Sequence, residues 1–355
     1  MKPEIHQFAP WLRYGDGISR GIILIQEMLI ELGYHSKIYT KQSSSEINLK
    51  NKFYLIKEYT PNENDILVYH FSYYYKYHDD IMKIPTKKIM IYHNITPSHF
   101  FDSVKFKKGC DLGRLQLKES NKKFIASIAD SKYNCEELLY YNYKNTFVLP
   151  LLVDSRNKKD IFPNKRILKK HYDTFNILFV GRVIQNKAQH LLIDVLKELS
   201  LRSYKKINLF IVGKNLYSDY FNFLFKYAKD LGLENQVIIT NSVTEEDLHS
   251  YYKISNLYLS LSEHEGFGMP IIEAINHKVP VLAYDCGSIS TTLGKHGLLK
   301  CKAANTVAKK IIKLIKDDNL LKELALKQQN HLKLFKYDYL KDEFNKIISK
   351  CIEKG

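Results

Sequence analysis

Cysteine is scarce in this chain and falls into no pattern. The 355 residues hold five, at positions 110, 135, 286, 301 and 351, an odd number without a C-x-x-C pair. That spacing argues against a disulfide scaffold and a cysteine-based zinc site, and it fits reduced thiols in a cytosol. Long apolar runs are also missing. The best, residues 21–30, is broken by Gln26 and Glu27, well short of the ~20 residues that span a bilayer. The opening MKPEIHQFAPWLRYGDG has no apolar h-region, so no secretory signal is expected. No short internal repeat is visible. Acidic residues are outnumbered, 38 Asp/Glu against 54 Lys/Arg, for a formal net charge of +16 and a pI near 9.3. Residues 1–170 carry 28 basic and 18 acidic side chains, so the excess is greater in the first half. Such a field attracts nucleic acid, anionic lipid headgroups or diphosphate-bearing substrates, and charge alone does not choose among them.

Hydrophobic content of 45% is enough for real cores, and the length suits two domains. Residues 18–32 place Ile18, Ile22, Ile25, Leu29 and Leu32 at helical spacing, with Gly33 as a stop. Strands are expected at 37–40, 65–70, 88–93, 124–130 and 146–150, two of them ending in His70 and His93. Continuous apolar strands alternating with helices indicate a parallel sheet covered on both faces. The polar, basic stretch 154–172 reads as a linker. A second α/β series follows, with strands at 175–181, 207–213, 236–240 and 256–261. Thr244 with Asp247 resembles a capping box at a helix start. A basic helix is expected over 335–354. Residues 105–123 hold seven Lys/Arg among apolar residues, a stretch suited to an anionic membrane surface or to a solvated basic face. Its glycines, Gly109 and Gly113, read as interruptions of any continuous helix.

Three constellations carry chemistry. Glu265-Gly-Phe-Gly-Met-Pro-Ile-Ile-Glu273 places two glutamates eight positions apart around a glycine-flanked turn, with Pro270 in the first turn of a helix. Gly266 and Gly268 leave loop backbone N–H groups accessible near the positive end of that helix, a place to hold an anion. Gly181, Arg182 and Lys187 follow a buried strand. An arginine fork and a compact lysine charge suit a diphosphate leaving group. Tyr14-Gly15-Asp16-Gly17 precedes a helix and lets backbone approach a phosphate or sugar. It is not G-x-G-x-x-G, which makes a nicotinamide site a poor reading. His93 reads either as a structural histidine or as a donor to a sugar hydroxyl.

EGFGMPIIE, with its continuation AINHKVPVLAYDCG, resembles the signature of the family 4 retaining glycosyltransferases (glycosyl transferases group 1). VGRVIQNKA resembles that family's V-G-R-L-x-x-x-K-G, and GDGIS its glycine-rich loop in bacterial surface-polysaccharide transferases. Two departures are Ala188 and Lys278, where a glycine is usual. The resemblance implies a GT-B fold, α/β, with two Rossmann-like domains facing a cleft. An acceptor-side domain of 1–155 would be completed by a returning helix at 336–355, and 173–335 would bind the nucleotide sugar. It implies Glu265 and His93 as catalytic residues. It implies Arg182, Lys187, Glu273, Gly266, Phe267, Gly268, Gly17 and Gly181 as donor-binding residues, with Glu273 on the ribose and Glu265 on the donor sugar. No cofactor or metal is expected, and the absence of Asp-x-Asp fits charge neutralisation by Arg182 and Lys187. The expected partners are a nucleoside-diphosphate sugar, a glycan or lipid-linked oligosaccharide acceptor in O-antigen or capsule synthesis, and an anionic membrane surface. The expected location is the cytoplasm, peripheral at the inner membrane face. The competing readings are a GT-B sugar-phosphate synthase or phosphorylase, and a basic nucleic-acid-binding protein. Against the last, the basic residues are dispersed and no nucleic-acid module is recognisable, so no nucleic acid is expected as a partner.

Overall fold

A computed structural model describes residues 2–12, 17–41, 53–152, 161–215 and 218–354. Tyr14, Gly15 and Asp16 of the glycine-rich loop and residues 154–160 of the expected linker lie outside the described residues. The chain divides into two compact units, Met1–Asp154 with Leu334–Gly355, and Ser155–Lys333.

In unit 1 the strands are β1 (Ile5–Ala9), β2 (Ile38–Thr40), β3 (Phe53–Leu55), β4 (Ile66–Phe71), β5 (Lys87–Tyr92), β6 (Ala126–Ala129) and β7 (Thr146–Val148). They form a parallel sheet in the order β3-β2-β1-β4-β5-β6-β7. The helices between them are α1 (Gly17–Glu31), α2 (His78–Lys83), α3 (Val104–Glu119) and α4 (Lys132–Tyr140). β5 shows why these strands are apolar without alternation. Ile89 and Ile91 enter one core while Met90 and Tyr92 enter the core on the opposite face. A strand buried on both sides has no face to leave polar.

Unit 2 repeats the pattern with β8 (Phe175–Val180), β9 (Ile207–Val212), β10 (Val237–Ile239), β11 (Leu257–Ser260), β12 (Val281–Tyr284) and β13 (Leu298–Leu299). Their parallel order is β10-β9-β8-β11-β12-β13. Its helices are α5 (Lys165–Lys170), α6 (Gln189–Ser200), α7 (Ser218–Asp230), α8 (Glu245–Ile254), α9 (Met269–Asn276), α10 (Ile289–Leu293), α11 (Ala304–Lys316) and α12 (Asp318–His331). The last helix, α13 (Tyr337–Lys354), returns to unit 1, where Leu340, Phe344 and Ile348 are fully buried with Ile5, Met28 and Ile128. No described helix is long and apolar enough to cross a membrane.

Two expectations need correction. The described part of the linker is not irregular. Asn164 caps α5 by accepting from the Arg166 N–H (3.0 Å), and it is tied to α8 through Ser250 (2.6 Å) and Asp247 (2.8 Å). The glycines of α3 do not interrupt it either: the helix runs 16 residues without a break. A Cβ at Gly109 would lie 1.7 Å from the Tyr73 hydroxyl oxygen, and one at Gly113 2.8 Å from the Tyr74 backbone nitrogen. These glycines are places of close approach, and the packing they admit offsets a propensity cost of about 1 kcal/mol each.

The departures at Ala188 and Lys278 both fall in the left-handed region, with φ of +49° and +61°. After α9, the Lys278 N–H donates to Ile275 and the Val279 N–H to Ala274, both at 2.9 Å, the bonding of a Schellman stop. An L-residue in that conformation costs roughly 1–2 kcal/mol, part of which glycine returns through its greater freedom when unfolded. Lys278 is exposed and loses no packing on truncation. Lys278→Gly is therefore expected to stabilise unit 2 by about 1 kcal/mol, raising Tm by about 2–4 °C for a unit of this size. An unchanged or lower melting temperature in calorimetry would count against the strain.

Candidate active site

In unit 2 the sheet grows from β8 outward to β9 and β10 on one side and to β11, β12 and β13 on the other. The carboxyl ends of β8 and β11 therefore flank the topological switch point, where α/β sheets collect ligands. The loop leaving β8 carries Gly181, Arg182 and a tight turn over Gln185–Lys187. Gly181 runs against the next strand: a Cβ at Gly213 would lie 2.0 Å from the Gly181 oxygen. Arg182 is exposed, and its carbonyl accepts from the Gln189 side chain (2.8 Å). Lys187 is buried and reaches the loop after β11. Its Nζ lies 2.7 Å from Glu265 Oε1 and donates to the His264 carbonyl at 3.2 Å. The two motifs read separately along the chain thus meet as an ion pair across the switch point.

The signature loop is held from the β12 side. Glu265 O accepts from Ser288 N–H (3.0 Å) and Ser288 Oγ (3.2 Å), and Phe267 O accepts from the Thr292 hydroxyl. A Cβ at Gly287, whose φ is +53°, would lie 2.3 Å from Glu265 O. Phe267 is buried, and Gly268, at φ +85°, is the N-cap of α9 with Pro270 in the first turn. Glu273 lies inside α9 and accepts from the Tyr252 hydroxyl at 3.0 Å. Burial, reinforced by the Glu273 carboxylate, raises the Tyr252 hydroxyl well above its usual range, so it remains a donor. Burial likewise pushes the Cys286 thiol up to about 12, with Glu265 adding to it. Its Sγ–H donates to Ser262 O (3.0 Å), which makes it a structural thiol and not a nucleophile. The site thus offers one buried cation, a carboxylate against it, a second carboxylate on α9, and the amino end of that helix. Gly287 closes the AINHKVPVLAYDCG segment, whereas Tyr252, Ser288 and Thr292 escape a sequence reading, since one tyrosine among 26 or a lone hydroxyl carries no periodic signal.

In unit 1, Gly17 opens α1, and His93 follows β5. His93 is buried with both ring nitrogens engaged. Nδ1 lies 2.8 Å from Asp130 Oδ2, and Nε2 lies 2.9 Å from His70 Nδ1. His70 Nε2 in turn lies 2.9 Å from Gln7 Oε1, and the Gln7 amide donates to Ile22 O at 3.1 Å. That last bond sets every proton in the row. The Gln7 amide cannot turn without placing two oxygens together, so His70 Nε2 must carry hydrogen. His70 Nδ1 then accepts, and His93 Nε2 must donate. A further proton is needed between His93 Nδ1 and the Asp130 carboxylate. Two neutral imidazoles supply two protons and the row requires three. Burial pushes His70 well down, keeping it neutral, and pushes the Asp130 carboxyl up, which places the third proton on the Asp130–His93 contact. Sequence reading singled out His70 and His93 as strand ends, but neither Asp130 nor Gln7.

Glu4, His6 and His35 are one cluster among the described residues with metal-ligand spacing, their ligand atoms lying within 4.8 Å of one another. The tautomer opposes that use. Lys37 N–H donates to His6 Nδ1 (3.2 Å), so Nε2 carries the proton that faces Glu4 at 3.0 Å. A metal-bound imidazole donates from its other nitrogen, whereas this one already accepts there.

Residues 160–331 match the family described as Glycosyl transferases group 1. That segment, with the site just described, belongs to the group 1 glycosyl transferases. The chain is 32% identical over 128 residues to the mannosylfructose-phosphate synthase of Agrobacterium fabrum, a match covering 34% of this chain and 28% of that protein. It is 30% identical over 167 residues to the capsular polysaccharide biosynthesis glycosyltransferase CapM of Staphylococcus aureus, covering 44% and 42%. Matches to these and to the other leading curated relatives span less than half of each relative's length. Anabaena HepE, solved with UDP and glucose, superposes with a TM-score of 0.75 at 16% identity over 98% of this chain and 100% of that one. The group 1 segment thus lies within a GT-B fold of two Rossmann-like domains.

Proposed function

We propose that the protein moves a sugar from a nucleoside-diphosphate sugar to a hydroxyl of a glycan acceptor, with retention at the anomeric carbon and without a metal ion. The observation that carries this reading is the Lys187–Glu265 pair, 2.7 Å apart at the switch point of unit 2. In the transfer, the bond between the anomeric carbon and the diphosphate oxygen breaks, and its electron pair leaves with the diphosphate. The acceptor oxygen bonds to the same face of that carbon, and its proton passes to the departing diphosphate. Lys187 stabilises the charge that develops there, and Glu265 holds the ammonium in place until phosphate oxygens take it over. Exposed Arg182 adds a fork to the same group. Glu265 then faces the donor sugar, and Glu273, steadied by Tyr252, accepts from ribose hydroxyls. His93 enters as a group whose ring nitrogens are committed within unit 1. UDP in Anabaena HepE supports a nucleotide donor, and the naming of CapM for capsular polysaccharide supports a glycan acceptor; that the acceptor is lipid-linked and met at the inner membrane face is part of the same proposal.

The test is nucleoside-diphosphate release from UDP-, GDP- and dTDP-sugars with membrane lipid extract, with and without EDTA, using wild type and Glu265→Ala. We expect release from one donor, unchanged by EDTA, lost in the variant, and a product of the donor's anomeric configuration by NMR. Folded protein that releases nothing from any donor sinks the reading, and an inverted product sinks retention. A soluble phosphosugar is the competing acceptor, favoured by the name of the Agrobacterium relative. Replacing the lipid extract with hexose phosphates separates the two.

A further inference from the structure

Lys187 and Glu265 follow the carboxyl ends of their strands. At the amino end of the same sheet, a cleft of about 520 Å³ opens between α11 and α12, beside the edge strand β13. Its floor is Leu282, in the first half of β12, and Gly297, just before β13. Leu282 is fully buried. Gly297 has φ +94°, and a Cβ there would lie 2.2 Å from Val281 O and 2.5 Å from Gln328 Nε2, so the floor carries no side chain at that point. The walls are preformed. Gln328 of α12 accepts from the Val281 N–H (2.9 Å) and donates to Val281 O (2.8 Å) and His296 O (2.9 Å). α11 is anchored in the core by Val307, Ile311 and Leu314. The lining is divided by polarity. Leu320 and Leu324 come from α12, whereas Lys309, Lys310 and Lys313 come from α11. No acidic side chain lines the cleft among the described residues. The Lys310 ammonium donates to Leu298 O (3.3 Å), and burial pushes it below its ordinary value.

We propose that this cleft binds a free fatty acid, with the carboxylate on the lysines of α11 and the alkyl chain against Leu282, Leu314, Leu320 and Leu324. Its volume falls within the range of small-molecule pockets, about 300–1,000 Å³. Three ammonium groups without a lining carboxylate call for an anion, and the leucines call for an apolar chain, so the occupant must carry both. An anionic head also supplies the counter-charge that the partly covered Lys310 lacks. A bilayer fits less well, since it takes apolar groups that protrude into it, and the floor of this cleft is recessed and fully buried. The site lies at the other end of the sheet from the nucleotide-sugar residues, so it stands or falls independently of the transfer reading.

The probes are octanoate and laurate below their micellar concentrations, dodecyltrimethylammonium, and phosphatidylglycerol vesicles, each titrated calorimetrically into the full chain. We expect saturable binding of laurate, tighter than octanoate by up to about four-fold per added methylene, and weaker binding of the cationic probe. Leu320→Asp sets a carboxylate at the mouth of the cleft. Leu320 is 40% exposed and lies in the first turn of α12, where a carboxylate suits the helix dipole, so the fold is kept. This variant is expected to weaken laurate binding by roughly ten-fold or more. Lys309→Gln combined with Lys313→Gln, both exposed, is expected to weaken it by roughly three-fold to ten-fold with an unchanged melting temperature. Folded protein that binds no laurate overturns the proposal. Laurate binding that Leu320→Asp leaves unchanged overturns it, since the ligand then sits elsewhere on a basic surface. Equal binding of the cationic probe overturns the role of the lysines and with it the fatty-acid assignment. Binding of vesicles without laurate overturns it in favour of a membrane surface.

Discussion

Lys187→Ala is expected to lower kcat/KM for the donor by roughly ten-fold to a hundred-fold, the effect of losing a charged hydrogen bond worth about 1.5–3 kcal/mol. The pair with Glu265 sharpens the expectation. In the resting site, Glu265 accepts from Lys187 at 2.7 Å, with both side chains largely covered. Removing the ammonium does more than delete a phosphate contact. It leaves a partly buried carboxylate facing the place where diphosphate charge develops, and like charges there repel. The loss is therefore expected to fall on kcat more than on nucleotide affinity, because the charge is largest in the transition state. Lys187→Ala combined with Glu265→Gln separates the contributions. If repulsion is real, the double variant recovers part of the rate lost by the single one. A single variant with an unchanged rate removes Lys187 from the site.

The Lys187–Glu265 contact was legible in outline, since each residue lies in a motif with glycines marking strand ends. Their meeting was not, because it follows from strand order: β8 lies beside β11 only once the sheet is assembled. The strands themselves were readable where they run apolar for five or six residues. β1 was not read as a strand, although it lies at the centre of its sheet with all five residues buried, because His6 and Gln7 interrupt the run. Both polar residues are there for reasons no local pattern expresses. His6 meets the Lys37 N–H, and Gln7 ends the histidine row. The helix over 104–119 was misread for the same kind of reason. Gly109 and Gly113 look like breaks until Tyr73 and Tyr74 are placed against them. Local propensity was overridden wherever a tertiary neighbour needed the room.

Unfolding stability is expected to fall as pH rises through the release of one proton from a buried row in unit 1, by up to about 1.4 kcal/mol per pH unit over the window in which that proton is exchanged. The row Asp130–His93–His70–Gln7 requires three protons when folded. Unfolded near neutral pH, the same groups hold about two, one on each imidazole, with the carboxylate ionised. Folding therefore takes up a proton, the unfolded state binds fewer, and stability declines with pH until the folded row lets the third proton go. The direction agrees with burial raising the Asp130 carboxyl: a raised folded value gives stability at low pH that is lost on going up through it. The buried His70 acts in the opposite sense, since its depressed value costs stability only below the ordinary histidine range. Asp130→Asn provides the decisive comparison. An asparagine amide turned toward His93 Nδ1 donates the missing hydrogen without a titrating group. The row is then satisfied by two neutral rings, and the slope of stability against pH should flatten by one proton where the wild type falls. Asp130→Ala leaves His93 Nδ1 buried without its partner and is expected to destabilise by about 1–3 kcal/mol where the wild-type row holds its third proton. Denaturant unfolding at a series of pH values distinguishes the three proteins. A wild type as flat as Asp130→Asn would mean that the row holds two protons and that the Gln7 amide is turned against Ile22.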